Sequence, residues 1–257
     1  MTVCPVPAFS AFAIPDIPLI QPGDDIVSII SDRSRAAGLS LADGDVLVVS
    51  SKIVSKAEGR QLSLAEVSVS SAAAALAAET DKDPRLVELV LQEAAMVSRK
   101  RRGVLVTQHR LGFVSANSGL DQSNIESGDD TALLLPLDPD ASASAMREAL
   151  RDELAVDVGV IISDTHGRPF RVGNVGVAIG VAGMAAVKDL RGRTDLYGRK
   201  LEVTQQAYAD LVASAAHLLC GEADEGYPAI VIRGIDVAAP HGAASDLNRH
   251  PENDLYR

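Results

Sequence analysis

Residues 163–168 read Ser-Asp-Thr-His-Gly-Arg and combine residue types that bind metals and phosphates. They follow the apolar run 158–162, which predicts a buried strand, so Asp164 and Thr165 are expected at its carboxyl end, before a glycine turn. A carboxylate beside a hydroxyl suits Mg²⁺ or Mn²⁺, because these ions take hard oxygen ligands and share them with substrate phosphates. The segment therefore predicts a divalent metal site.

Two arginines follow this acid, and they allow a second interpretation of the same segment. Arg168 and Arg171 could neutralise phosphate or carboxylate oxygens of a substrate. In the structural alternative, Asp164 caps the turn and both arginines are exposed. A single histidine in a loop is more often incidental than catalytic, so His166 is given no role.

A second polar segment, residues 115–124, follows a short predicted strand. It carries Asp121 and Asn124 three positions apart, and both side chains could converge on a cation and its ligand oxygens. The alternative is a turn in which Asp and Asn bind their own backbone, which is common for this composition.

A third segment, residues 50–60, leaves the apolar run 46–49 and presents hydroxyls and lysines together. Ser51, Lys52 and Lys56 supply O–H and N–H donors with positive charge, which phosphate recognition requires. A solvated loop with surface lysines is an equally good interpretation of this segment alone.

A fourth segment, residues 220–228, follows a predicted helix, with Gly221 as its C-cap. Glu222, Asp224 and Glu225 could add a second metal ligand, or they could belong to an ordinary polar loop. Together the four segments supply acids, hydroxyls, lysines and arginines. These are the side chains that metal-assisted phosphoryl transfer requires.

The elements that must position these residues alternate irregularly between helix and strand. Predicted helices cover residues 26–33, 64–78, 83–97, 143–154 and 204–219, the last with a stripe of Ala207, Leu211, Ala215 and Leu218. Predicted strands cover residues 46–49, 104–106, 113–115, 158–162, 175–181 and 229–232. This order favours an α+β fold with mixed or antiparallel sheets. The glycine spacings fit neither a Rossmann fingerprint nor a P-loop, so neither fold is expected.

The amino-acid composition limits the classes of partner that the protein is expected to bind. The 257 residues carry 24 Lys+Arg against 35 Asp+Glu, a net charge of −11, which argues against nucleic acids and anionic membranes as partners. Cys4 and Cys220 lack metal-type spacing and are expected to be reduced. With no targeting segment and no membrane-spanning run, the sequence predicts a soluble cytoplasmic protein.

The same segments give the chain a marked resemblance to a known family. The matching blocks are residues 17–18, 22–25, 43–60, 119–124, 163–169, 195–198 and 224–234, in order and correctly spaced. On these blocks the chain resembles the coenzyme F420-0:L-glutamate ligases, the γ-glutamyl ligases of deazaflavin biosynthesis. The resemblance extends from about residue 14 to the C-terminus.

The resemblance implies a GTP-dependent ligase that joins the lactyl carboxylate of F420-0 to L-glutamate through an acyl phosphate. It implies an α+β fold of the intertwined-homodimer type, with two Mg²⁺ or Mn²⁺ ions and a contribution from K⁺. It also implies one catalytic unit, residues 1–257 with two subdomains allowed, and no C-terminal oxidoreductase domain. The alternatives are a ligase of the same fold acting on another carboxylate and a non-catalytic nucleotide-binding module.

The resemblance also implies residue roles, with Asp121, Asp164, Thr165 and Glu222 holding the metals. Catalysis is expected to rest on Asp121, Asp164, Lys56 and Arg168, because the lysine and the arginine can supply the positive charge that phosphoryl transfer needs. The residues implied to contact GTP are Ile17, Pro18, Leu19, Ile20, Ser51, Lys56, Asn124, Cys220, Gly221, Glu222, Ala223, Asp224, Glu225, Gly226 and Tyr227.

Overall fold

The computed structural model describes residues 6–124, 130–237 and 241–255, and over them it confirms the predicted α+β class. The helices are α1 (Ile26–Ala36), α2 (Ser51–Ala57), α3 (Ser71–Thr80), α4 (Pro84–Glu93), α5 (Pro139–Leu154) and α6 (Tyr208–Cys220). The strands are β1 (Ser10–Ala13), β2 (Val46–Ser50), β3 (Gln61–Ser63), β4 (Ala94–Arg101), β5 (Val104–His109), β6 (Val114–Ala116), β7 (Thr131–Leu133), β8 (Gly159–Arg168), β9 (Arg171–Ala182), β10 (Val187–Asp189), β11 (Gln205–Ala207) and β12 (Ala229–Arg233).

The largest sheet has five strands in the order β1-β12-β2-β8-β9. The pairing of β2 with β8 is parallel, and the other three pairings in this sheet are antiparallel. In the parallel pair Ser50 stands opposite Ser163. Because parallel strands end at the same edge, the residues that follow Ser50 and Ser163 are brought side by side.

Both faces of this sheet are covered, which explains why β2 is apolar along its length. On one face, alternate strand residues such as Leu47 and Ile162 pack with α1 and α5. On the other face, residues such as Val48 and Ile161 pack with α6. The sheet is therefore the rigid layer from which the functional segments extend.

A second layer holds the segment that carries Asp121. Strands β4, β5 and β6 form an antiparallel sheet, and α3 and α4 pack beside it around Ala77, Val90 and Leu105. Two smaller pairs, β3 with β7 and β10 with β11, complete the sheets of the described residues.

Three helix ends carry residue types that commonly cap helices. The carboxylate of Asp25 caps α1 by accepting a hydrogen bond from Ser28 N, and Asp83 caps α4 before Pro84. Gly221 follows α6 with a φ of 71°, which confirms it as the C-cap residue.

All five predicted helices have different bounds in the structure; α1 ends later, at Ala36, and α5 begins earlier, at Pro139. Residues 64–66 form a short 3₁₀ turn and α3 begins only at Ser71, because the chain between them is extended. Ala94 and Val97 were predicted on a helix face but belong to strand β4. The helix predicted from Thr204 begins at Tyr208, after the short strand β11.

Two segments near the functional residues also differ from the expectations. No helix was predicted over residues 51–57, for which a solvated loop was one of two interpretations, but they form helix α2, capped by the Ser50 hydroxyl, which accepts from Lys52 N. Strand β8 was predicted to end at residue 162, but it continues to Arg168, where it turns into β9. Asp164 and Thr165 therefore lie within a strand, and no turn follows them directly.

The apolar stripe predicted on the last helix is largely exposed. Leu211 is 53% exposed and Leu218 is 84% exposed, whereas Ala209, Val212 and Ala216 form the buried face of α6. Nowhere in the described ranges is a helix long and apolar enough to cross a bilayer. Cys220 is a free thiol, and Cys4 lies outside the described residues.

Candidate active site

The parallel pairing of β2 with β8 places Ser51 beside Asp164. Ser51 is the first residue of α2 and is 2% exposed, so its hydroxyl is held inside the protein. Its Oγ lies 3.4 Å from Oδ1 of Asp164. This contact joins two residues that are 113 positions apart, and the register between Ser50 and Ser163 accounts for it.

The next residue of α2 reaches the second acid. Lys52 Nζ lies 2.7 Å from Oδ2 of Asp121 and donates a hydrogen bond of 3.0 Å to Ser123 Oγ. The Ser123 backbone N–H donates to Asp121 Oδ1 over 2.7 Å. Burial alone would raise the pKa of Asp121, but the hydrogen bonds from Lys52 and Ser123 outweigh it and lower the pKa. Asp121 is therefore held as a carboxylate.

Consecutive residues of one helix thus contact both acids that the sequence singles out. Ser51 contacts Asp164, and Lys52 contacts Asp121. The two acids, from different layers of the protein, converge on the beginning of α2.

The backbone of the Asp121 segment also approaches Asp164 directly. A Cβ added at Gly119 would lie 3.6 Å from Oδ2 of Asp164 and 2.6 Å from Leu135 Cδ1, so only glycine fits without displacement. The preceding Ser118 is fully buried, and its Oγ bonds the Thr107 hydroxyl at 2.7 Å. The segment is therefore attached to β5 and lies close to Asp164 of β8.

The nucleotide-contact residues implied by the resemblance fall into two groups. Lys56 Nζ donates to the Asn124 carbonyl over 2.8 Å, and Asn124 Nδ2 donates to the Ala223 carbonyl over 3.2 Å. The Pro228 carbonyl accepts a 2.8 Å bond from Ser50 N. The last residue of α6, Cys220, and the segment after it, including Asp224, Gly226 and Tyr227, therefore border the same end of β2 as the two acids.

Residues 17–20 lie elsewhere. Ile20 is 3% exposed and Ile17 packs partly against the core, whereas Pro18 and Leu19 face solvent. The turn after them is attached to α2 through Gly23 N, which donates to the Ala57 carbonyl over 2.8 Å. Since Ala57 ends α2, this turn lies about 10 Å along the helix from Ser51.

Two predicted metal ligands, Thr165 and Glu222, are placed near His217. Side chains alternate along a strand, so Thr165 shares the face of Ser163, whose Oγ is 3.3 Å from His217 Nε2, while Asp164 points to the other face. Glu222 is about half exposed, and its Oε1 is 3.8 Å from His217 Nδ1. Burial lowers the pKa of the His217 imidazole.

Arg168 is also separated from the acids within the chain. It lies four residues further along β8 than Asp164, which corresponds to about 13 Å in a strand. Its guanidinium donates a 3.4 Å bond to the Val172 carbonyl across the turn between β8 and β9. The structure therefore brings together Ser51, Asp121 and Asp164, but leaves Arg168 at the far end of the hairpin.

His166, given no role from the sequence, contacts Asp164 directly. Its Nε2 lies 3.1 Å from Oδ2 of Asp164. The signal that could have found it is the spacing of two residues, because positions i and i+2 of a strand share a face.

A cavity of about 260 Å³ opens beside Asp121. Apolar side chains of α4 and of the segment that carries Asp121 form one part of its wall, and polar side chains form the rest. Its lining residues are Lys82, Leu86, Val87, Val90, Asn117, Leu120, Asp121, Gln122 and Ser123.

The donor set at the two acids fits Mg²⁺ or Mn²⁺ in type, because it consists of carboxylate and hydroxyl oxygens. Across the part of the chain that the structure describes, no three His, Cys, Asp or Glu side chains are grouped closely enough to hold a metal ion by themselves. An ion at these acids would therefore also need oxygens from substrate and water.

The fold and site define an α+β protein in which two carboxylates, a buried serine and a lysine meet where a parallel strand pair ends. Residues 15–234 match the family model described as F420-0:Gamma-glutamyl ligase, and the chain belongs to that family. The resemblance stated from the sequence is thereby confirmed.

Named relatives agree with this assignment. The chain is 44% identical to the coenzyme F420:L-glutamate ligase of Methanothermobacter thermautotrophicus, over 96% of this chain and 98% of that protein. It is 45% identical to the proteins of the same name from Methanopyrus kandleri, over 93% of each chain, and from Archaeoglobus fulgidus, over 96% of this chain and 95% of that one.

Proposed function

We propose that this chain is a GTP-dependent ligase that joins the lactyl carboxylate of coenzyme F420-0 to the amine of L-glutamate. Its family membership and near-full-length relatives support the ligase activity. The single structural observation that carries the proposal is the convergence of Asp121 and Asp164 on Ser51 and Lys52.

The chemistry explains why such a site is needed. In the proposed first step, an oxygen of the acceptor carboxylate attacks the γ-phosphorus of GTP, the bond from this phosphorus to the bridging oxygen breaks, and GDP leaves. The glutamate amine then attacks the acyl carbon, loses a proton, and displaces inorganic phosphate to form the amide. Both partners of the first step are anions, so their repulsion must be cancelled by fixed positive charge.

A bound Mg²⁺ or Mn²⁺ would supply much of that charge. In the proposal Asp121 and Asp164 hold the first ion, Thr165 and Glu222 contribute to a second, and K⁺ assists. Lys52 holds Asp121 as a carboxylate in place, and Ser51 fixes one oxygen of Asp164. No nucleophile on the protein is required, because the phosphoryl acceptor is the substrate itself.

The triphosphate is proposed to lie along the side of α2 that faces Asn124 and the segment after α6. Lys56, Ser51 and Asn124 border this region, and the link from Asn124 to Ala223 holds its two walls together. Residues 17–20 are proposed to contact the nucleotide from the other end of α2. The carboxylate end of the acceptor is proposed to enter the cavity beside Asp121, where apolar side chains and Lys82 meet.

Arg168 is proposed to act at the active site of a second copy of the chain. Within one chain it lies at the far end of the β8–β9 hairpin from Asp164, so a catalytic contribution from it fits the intertwined homodimer implied by the resemblance. The hairpin tip exposes Phe170 by 92% and Val172 by 99%, and such apolar exposure is typical of a surface that another chain covers.

The proposal is tested by incubating the protein with F420-0, L-glutamate, Mg²⁺ and either GTP or ATP, and measuring product mass and nucleoside diphosphate. A mass increase equal to one glutamyl residue, with GDP released only when both acceptor and glutamate are present, is expected. GDP release without an amide product would mean that the γ-phosphoryl group passes to water, and would contradict F420-0 as the acceptor that is joined to glutamate. Nucleotide binding without turnover would indicate a binding module.

A further inference from the structure

His166 and Asp164 form a pair on one face of β8. Both side chains are mostly buried, with 11% of the histidine and 16% of the aspartate exposed. The imidazole Nε2 lies 3.1 Å from Oδ2 of Asp164. A carboxylate oxygen accepts hydrogen bonds only, so Nε2 carries the hydrogen. Since Oδ1 lies 3.4 Å from the Ser51 hydroxyl, each oxygen of Asp164 has a neighbouring donor.

The other side of the His166 ring is covered by Phe113. The two ring centroids are 4.8 Å apart, with their planes tilted by 46°. Phe113 in turn stacks on His109, at 5.1 Å and 7°. The imidazole is therefore confined between the carboxylate of Asp164 and a stack of two further rings.

This stack ends in a buried ionic cluster. His109 is fully buried, its Nδ1 accepts a 3.0 Å bond from Leu111 N, and its Nε2 lies 3.2 Å from Oε2 of Glu93. Glu93 also accepts from Arg60, over 2.9 Å, and from Arg110, over 3.1 Å. These three partners hold Glu93 in place. The position of His109, and of the Phe113 ring stacked on it, is therefore fixed.

We propose that His166 is a positioning residue that holds the carboxylate of Asp164 in the orientation needed to bind a divalent ion. This inference rests on the proposed function, because it takes Asp164 as a metal ligand. Side chains that hydrogen-bond metal-binding carboxylates orient them, and losing such a partner typically costs about 10–100-fold in metal affinity. Phe113 supports this role by limiting the positions that the imidazole can adopt.

The test separates the hydrogen bond from the ring packing. His166→Phe keeps a ring against Phe113 and removes the N–H donor, whereas His166→Gln keeps an N–H donor at similar reach and removes the ring. Mn²⁺ binding to the nucleotide-free protein is measured by electron paramagnetic resonance, together with kcat and KM and the thermal unfolding midpoint. We expect His166→Phe to bind Mn²⁺ at least about tenfold more weakly, and His166→Gln to stay within about threefold of the natural protein.

Asp164→Asn is the reference variant in the same titration. Loss of Mn²⁺ binding in Asp164→Asn with normal binding in His166→Phe would overturn the positioning role and leave the proposed metal site standing. Equal Mn²⁺ affinity in the natural protein and His166→Phe, whether both bind or neither does, overturns the inference. If His166→Phe fails to fold, His166→Gln decides, because a tenfold loss there contradicts a role based on the N–H donor.

Discussion

At the scale of single residues, Asp164 tests the proposed metal site directly, because its charge can be removed with little change in side-chain volume. Asp164→Asn keeps the side-chain volume and removes the negative charge that a divalent ion requires. We expect turnover to fall by about 100-fold or more while the thermal midpoint changes little. GDP release at saturating Mg²⁺ measures the effect.

The matched control is Asp32→Asn, an acid-to-amide change on the exposed face of α1, where Asp32 pairs with Arg35. This variant is expected to keep full activity. Near-normal turnover in Asp164→Asn would remove Asp164 from the metal site.

The sequence singled out the two acids as candidates but did not predict the side chains that contact them. Asp121 and Asp164 stand out because each follows an apolar run in a polar segment of suitable composition. The contact of Lys52 with Asp121 and the contact of His166 with Asp164 were not predicted. The first depends on how two separate layers pack, which no local pattern encodes. The second was hidden because β8 was predicted to end too early, which placed His166 in a loop.

At the scale of elements, the close packing of α6 on β9 depends on one glycine. A Cβ at Gly176 would overlap the His217 ring and would lie 2.7 Å from the Ala213 carbonyl. We expect Gly176→Ala to destabilise the protein by about 1–3 kcal/mol, because overpacking must push the helix away from the strand. Urea unfolding followed by circular dichroism measures the change.

Gly167→Ala is the control for that variant, since it lies in the same hairpin and its added Cβ would meet only Asn174 Oδ1, at 3.8 Å. Its unfolding free energy is expected to stay within about 0.5 kcal/mol of the natural protein. Equal stability of the two variants would show that α6 does not depend on Gly176.

The elements that were predicted wrongly share a physical cause. Helix α2 has seven residues, too few for a helical pattern to be recognised, and its stability comes from packing Ile53 and Val54 against the sheet. Ala94 and Val97 continue the apolar spacing of α4, yet they pair with β5. In both cases tertiary contacts decide between structures that the local sequence allows equally. The strongly apolar strands β2 and β12 were predicted to within one residue.

At the scale of the whole molecule, the Glu93 cluster joins α4, β5 and the chain after α2, so it makes overall stability depend on pH. Burial alone would raise the pKa of Glu93, but His109, Arg60 and Arg110 outweigh it and hold the pKa at about 2, against 4.5 unfolded. A lowered folded pKa stabilises the protein above the unfolded value, and this contribution is lost as pH falls from about 4.5 to about 2.

Glu93→Gln is therefore expected to cost roughly 3 kcal/mol at pH 7, and the difference from the natural protein should shrink towards pH 2. Urea unfolding at several pH values measures it. Glu148→Gln removes an exposed carboxylate on α5 and serves as control. If the unfolding free energies of Glu93→Gln and the natural protein differed by the same amount at every pH, the lowered pKa of Glu93 would be contradicted.

The last prediction concerns the assembly and follows from the proposed dimer. The face of α6 opposite its buried side exposes Leu211 and Leu218, and the tip of the β8–β9 hairpin exposes Phe170 and Val172. Leu218→Lys should weaken self-association if this apolar helix face is covered by a second copy, because the new charge would lose water on assembly. Sedimentation velocity over a range of concentrations should then show a shift from dimer towards monomer. Leu255→Lys, at another exposed leucine, is expected to sediment like the natural protein. A Leu218→Lys variant that remains a dimer would exclude this face of α6 from the interface.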